Sequence, residues 1–577
     1  MKTKLLLLSC FFIAFTASSQ LQKNIGVSSK NFHNVNAEPI TIGAANDVIS
    51  ASNLFDASMG GEELTLKRID ASGAIVWIET YTNTAIGRAR VFDITTHLDL
   101  IFVAGSINDS GMNRSFIAVV DGMNGNLLNA RIFDVVSPNF HATPLKIIYT
   151  ESDATGNSIP DPGLVVAGFF STCPPIDINC GLNAGFVIRT DLSLNVLWSI
   201  ELESIVTSSL DYDFINGITE TSDGYLLTGS VTGESAVPGI FQQGVLAHKI
   251  DFMGLTQWDS SYLFGNSNDV SVDAYYDNGT NEIYMLTNYS SSHHFGVTVL
   301  DNATGAIVPA KSWFASSPFL DYYGFKILES GSSVNNLVIQ GYNRDNNITA
   351  TLDQTNPFVY EFNKATGNQV GDSYQYLLPH TEPMGDVFNF WNGQMPTIYY
   401  PDMGFLYIDT AGNASYALGG YRTDSTGFTN IELFATPLNK LNQCDQVNLI
   451  FTVNPLPAIT AITTVSSGNT PVSSVSLVLN NTSVTFAENS CDPTLSTGSN
   501  QVLDVKMYPN PSKDFVYFSG EGVAFIKIVD SLGRVVLETS DFDNSNGLFV
   551  GELNKGIYFV MVTGSNNQKQ MIKLIKK

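Results

Sequence analysis

The side chains best able to do chemistry here are carboxylates: the 577-residue chain has 54 Asp plus Glu against 28 Lys plus Arg, with 7 His and 5 Cys. Two carboxyl groups about 5 to 10 Å apart suffice for glycoside hydrolysis, and strands distant in sequence can bring such a pair together. No linear catalytic signature accompanies them. G-x-S-x-G, H-E-x-x-H, a P-loop and G-x-G-x-x-G are all missing from the sequence. The His293–His294 pair suggests metal ligands, but adjacent side chains on a strand point to opposite faces, so an exposed polar loop is the better reading. Asp and Asn within 151–161 and 343–353 could hold calcium; neither run has EF-hand spacing, and they read as acidic loops without an ion. No cofactor and no metal are expected. The aromatics Trp391, Tyr399 and Tyr400, with neighbours from 388 to 407, could form a platform against sugar rings or a partner's apolar patch. Their alternation also fits buried strand faces.

A recurring hairpin would have to position these groups. An apolar strand runs into Asp or Asn, a tight turn reaches Gly or Asn three or four residues on, and a second strand comes after it. The clearest copies are LKRIDASGAIVW (66–77), VIRTDLSLNVLW (187–198) and AHKIDFMGLTQW (247–258), each with Trp seven residues after Asp. Looser copies turn at Asp121, Asp301, Asn363 and Asn439, giving seven in all, spaced by about 50 to 76 residues. Asp and Asn bond back to turn amides, and Gly or Asn accepts the positive φ that such loops need. Upstream of each hairpin lies another apolar strand ending in small residues, as in FVAGS (102–106), VVAGF (165–169) and LLTGS (226–230), and a further strand precedes it. Four strands per repeat at this period predict an all-β, seven-bladed β-propeller over 20–453, with the Trp rings as wedges between blades.

The hairpin resembles the tryptophan-docking motif of propellers related to the quinoprotein dehydrogenases; DNATG (301–305) and NKATG (363–367) are close matches. The resemblance implies blade construction alone, because no two cysteines are adjacent as the quinone enzymes require. Sialidase propellers differ too, in the spacing of their Asp boxes and in needing an arginine cluster.

Lys2 and Lys4, the apolar run 5–15 and the small residues 17–19 form a secretory signal peptide over 1–19. Its removal takes away Cys10 and leaves Cys173, Cys180, Cys444 and Cys491, an even number in an exported chain. Their spacings fit no zinc pattern. Disulfides Cys173–Cys180 and Cys444–Cys491 are expected, the first pinning a loop and the second tying the last blade to the segment beyond it. No transmembrane segment is expected after cleavage, and the net charge of −26 argues against nucleic acid or an anionic membrane surface as partner. Residues 454–505 turn Thr- and Ser-rich and read either as an extended linker or as a small β-module.

From 506 to 577, short alternating strands are separated by turn signals, which predicts a small Ig-like β-sandwich. YPNPS (508–512), DSLGRVV (530–536), LNKGIYFV (553–560) and the basic ending closely resemble, in order, the type A C-terminal sorting domain of the type IX secretion system. Tyr508, Pro509, Asn510, Pro511, Gly533, Arg534, Lys555 and Gly556 carry that resemblance. It implies a Bacteroidetes-type origin, passage across the outer membrane by the type IX machinery, and removal of the domain with release or surface attachment. The expected function is a non-enzymatic surface or secreted module that binds glycan or protein. The alternative is a polysaccharide hydrolase or lyase with carboxylates at the propeller channel; a structural component of the cell surface is a third reading.

Overall fold

In a computed structural model of the chain, every regular element among the described residues is a β-strand. The structure describes residues 22–376, 404–490 and 505–577, apart from short connecting segments within them. It divides into two compact units, Met1–Cys491 and Asp492–Lys577.

The first unit is a series of antiparallel meanders. Asn31–Ile42, Ala45–Asp56, Gly61–Ile69 and Ile75–Thr82 pair in that order to make the first sheet. Five more sheets come next along the chain, opening with Ala89–His97, His141–Thr150, Phe214–Glu220, Asp269–Asp277 and Leu320–Ser330. The seventh opens with Gly404–Ile408 and takes its fourth strand, Gln22–Gly26, from the other end of the chain. Each opening strand lies against the opening strand of the next sheet, and that of the seventh lies against that of the first.

Apolar clusters fill the seams between consecutive sheets. Leu64, Leu66 and Tyr81 of the first meet Val91, Ile94 and Phe116 of the second, and equivalent clusters join the second to the third, and so on to the sixth. A strand in such a stack is covered on both faces, which is why Gly163–Ser171 is buried at every position and reads as a continuous apolar run instead of alternating.

Seven short strands between 446 and 490 each add to the outer edge of one sheet. Gln446–Asn448 joins the sixth sheet, Thr452–Pro455 the fifth, Thr460–Ala461 the fourth and Thr464–Gly468 the third. Val472–Ser476 then joins the second, Asn480–Ser483 the first, and Ala487–Ser490 pairs with Gln22–Gly26 in the seventh. The Thr- and Ser-rich stretch, which the sequence left open between a linker and a small module, thus gives its strands up to Ser490 to the sheets of the first unit.

In the second unit, Lys506–Tyr508, Phe515–Ser519 and Leu548–Phe549 make a three-stranded sheet. Val535–Thr539, Val523–Asp530, Gly556–Gly564 and Lys569–Lys576, in that spatial order, make a four-stranded one. Val516, Phe518, Ile526, Ile528, Val560, Val562 and Leu574 form its core, each such side chain contributing roughly 1.5 to 3 kcal/mol on burial.

Candidate functional site

The recurring hairpin is a docking device between sheets. Its Asp accepts bonds from turn amides, as in Ala74 N to Asp70 Oδ1 at 2.9 Å and Asn195 N to Asp191 Oδ1 at 2.8 Å. Three indoles then reach the turn of the next sheet: Trp77 Nε1 donates to Gly122 O at 3.1 Å, Trp198 to Phe252 O at 2.9 Å and Trp258 to Asn302 O at 2.8 Å. The turn glycines make room for the rings. A Cβ on Gly305, whose φ is +71°, would stand 2.6 Å from the Trp258 ring, and one on Gly367 would stand 2.7 Å from Trp313. In the second sheet Leu128 stands at the Trp position and is exposed; Arg131 Nη1 instead reaches Asn195 Oδ1 of the third at 3.0 Å.

The seam between the fourth and fifth sheets holds a charge as well. Lys249, fully buried, donates to Asp223 and to Asn302 Oδ1, and Asn302 Nδ2 donates to Asp223 Oδ1 at 3.1 Å. Burial pushes the Lys249 ammonium below its ordinary value, against the pull of Asp223. Burial also pushes Asp223 upward, but the bonds from Lys249 and Asn302 outweigh it and hold the carboxyl below 3.8.

The opening strands of five sheets, where a hydrolase of this kind would gather its carboxylates, are each interrupted by a bulge. The extra residues are Phe92, Leu145, Asn216, Val272 and Phe325 in the second to sixth sheets. Phe92, Leu145 and Val272 meet in one apolar cluster. The residues after the bulges include Asp93 and Asp273, both buried. Asp93 Oδ2 accepts from Ile147 N at 2.9 Å and lies 3.3 Å from Lys146 Nζ. Asp273 Oδ2 accepts from Ile327 N at 2.9 Å and lies 3.8 Å from Lys326 Nζ. The same three groups recur with the same spacing, so these carboxylates pin one sheet to the next. Among the described residues no group of three or more His, Cys, Asp or Glu could hold a metal ion.

Of the residues singled out from sequence, Trp391, Tyr399, Tyr400, Cys173, Cys180, Cys444, Cys491, Gly533, Arg534 and His293 lie outside the described residues. His294 is buried within the strand His294–Asp301. The acidic run at 151–161 folds on itself: the Asp153 carboxylate accepts from the amides of Thr155, Gly156, Asn157 and Ser158, which hold it below its ordinary range.

The remaining candidates converge in the second unit. Tyr508 is half exposed and stacks on Tyr517 with ring centroids 6.1 Å apart. After Pro509, Asn510 uses its whole amide: Nδ2 donates to Lys573 O at 2.5 Å and Oδ1 accepts from Ile575 N at 2.9 Å. Beyond Pro511, Ser512 N donates to Ile575 O and Lys577 N donates to Ser512 O, both at 2.9 Å. Successive backbone groups along the outer edge of Lys569–Lys576 are therefore held by the 508–512 loop. Lys555 and Gly556 are exposed where the neighbouring strand begins. Neither the role of Asn510 as a strand mimic nor that of Ser512 was read from the sequence, because both depend on contacts across more than 60 residues.

Residues 506–577 match the family model described as a secretion system C-terminal sorting domain. This domain marks the chain for export through the type IX secretion system to the cell surface or the extracellular space. No curated protein matches the chain. Among solved structures the chain is similar to a crystal structure of an ACO/RPE65 chimera, at 9% identity and a TM-score of 0.22, over 78% of this chain and 96% of that one. A likeness that weak carries no argument about fold or function.

Proposed function

We propose that the first unit is a seven-bladed β-propeller that binds a glycan or a protein ligand outside the cell, delivered there by the sorting domain. The propeller reading is supported by seven meanders whose opening strands touch in succession, the seventh returning to the first. The indole-to-turn bonds repeat at three seams and support the same reading.

Binding is favoured over hydrolysis by one observation: the two carboxylates that directly follow the bulges of the opening strands, Asp93 and Asp273, are each committed to a lysine and a backbone amide of the next sheet. A carboxylate so fixed acts poorly as general acid, base or nucleophile. Loops on a rigid scaffold are the usual place for recognition, and the insert carrying Trp391, Tyr399 and Tyr400 is the proposed one here. Four cysteines paired as Cys173–Cys180 and Cys444–Cys491 would suit the oxidising route of export.

The test is a glycan array and a polysaccharide-turnover assay run on the same secreted protein. Retention of a defined glycan without release of new reducing ends supports the reading. Release of new reducing ends by the parent would establish the hydrolase in place of the binding module, and turnover that survives Asp93→Asn and Asp273→Asn would place its catalysis elsewhere.

A further inference from the structure

The strands between 446 and 490 visit the sheets in the order sixth, fifth, fourth, third, second, first and seventh, opposite to the order in which the chain builds them. Each pairs with the outermost strand of its sheet, so it has no partner until that sheet is complete. Between rungs, the segment drops an apolar side chain into a seam. Leu456 and Ile459 pack in the seam between the fourth and fifth sheets, and Ile462 in the seam between the third and fourth. Leu477 and Leu479 pack in the seam between the first and second.

Ile462 sits in a socket shaped for it. A Cβ on Gly233 would stand 2.6 Å from its Cδ1, and one on Gly244 would stand 2.4 Å from the same atom. Backbone bonds fix the crossings: Ile462 N donates to Ser261 O at 2.8 Å and Leu477 N to Ala130 O at 2.9 Å. The outward positions are polar or singly apolar, as in the exposed run Ser473, Ser474, Val475 and Ser476.

We propose that residues 446–490 are a closing strap: laid on after the seven sheets have formed, it ties neighbouring sheets together through its seam anchors and covers the outer edge of each. Those edges include Ile75–Thr82, Leu127–Val135 and Val196–Ser204, strands of eight or nine residues. Uncovered, strands of that length are templates for pairing with another chain. The strap replaces them with edges of two to five residues. Its last rung, on Gln22–Gly26, finishes the unit before the chain continues to the sorting domain.

The experiment is hydrogen exchange and limited proteolysis on the full exported chain, with Ile462→Ser, Ile462→Val and Val478→Ser. The strap amides of Ile462 and Leu477 are expected to exchange together, by an opening that leaves the sheets protected. Ile462→Ser should raise cutting inside 446–490 roughly thirtyfold, as loss of a large buried side chain at a locally opening segment implies, and should promote oligomers. Ile462→Val should restore most of the protection, and Val478→Ser, at an exposed position, should match the parent. Exchange of the strap only together with the whole unit would overturn the proposal, as would unchanged cutting in Ile462→Ser. Collapse of all seven sheets in that variant would overturn it too, since the strap would then be an inseparable part of the fold.

Discussion

Asn510 offers, from one amide group, the donor and the acceptor that a neighbouring strand would present. Asn510→Asp removes the donor to Lys573 O while keeping the size of the side chain. A bond in this setting contributes about 0.5 to 1.5 kcal/mol, so the second unit should lose about that much stability, and less protein should reach the medium; comparing Asn510→Asp with the parent by calorimetry and secretion assay checks both. A second contrast concerns the indoles. Trp258 Nε1 is bonded to Asn302 O, whereas the buried Trp313 Nε1 has no partner. Trp258→Phe should therefore cost about 1 kcal/mol more than Trp313→Phe, measured by denaturant unfolding of the two variants. Trp313 departs from the spacing of the clearest copies. It lies twelve residues after Asp301 instead of seven, yet it docks beneath Gly367 as the others dock beneath their turns. Position along the chain was the signal; what the ring needs is a turn glycine on the next sheet.

Among elements, the hairpin was readable because Asp or Asn and a following Gly or Asn must fall within a few residues for the turn to close. The opening strands were less so, since a strand buried on both faces has no alternation to read. The seams carry a pH dependence with a definite sign. Asp223 is held below 3.8 in the fold, so its contribution is complete above that value and is lost as pH falls through the lower folded one. The melting temperature of the parent should fall over that acid range more steeply than that of Asp223→Asn, tracked by a pH series of thermal scans. The strap was legible in the sequence only as far as a linker or a small β-module. Its rungs are two to five residues of Thr, Ser, Val and Asn, and its partners lie hundreds of positions away, as in Ser199 Oγ to Thr470 O. Nothing local says which sheets such strands join.

For the molecule as a whole, composition and the ordered motifs of the tail were enough to read the address, because a short domain must carry its own fold and its own recognition residues together. Deleting 506–577 should leave the first unit intact but retained in the periplasm, with near-complete loss from the medium; fractionation of cells and medium measures it, and normal delivery would defeat it. The candidate ligand site was named from aromatic residues alone, and its loop falls outside the described residues.

The strand Gln22–Gly26 has one further consequence. It is flanked by Thr429–Pro437 on one side and Ala487–Ser490 on the other, antiparallel to both. A force drawn along it must load two rows of bonds in shear at the same moment, instead of peeling one row from its end. A protein held or tugged by its first residues at a cell surface would therefore yield elsewhere before this strand slid free.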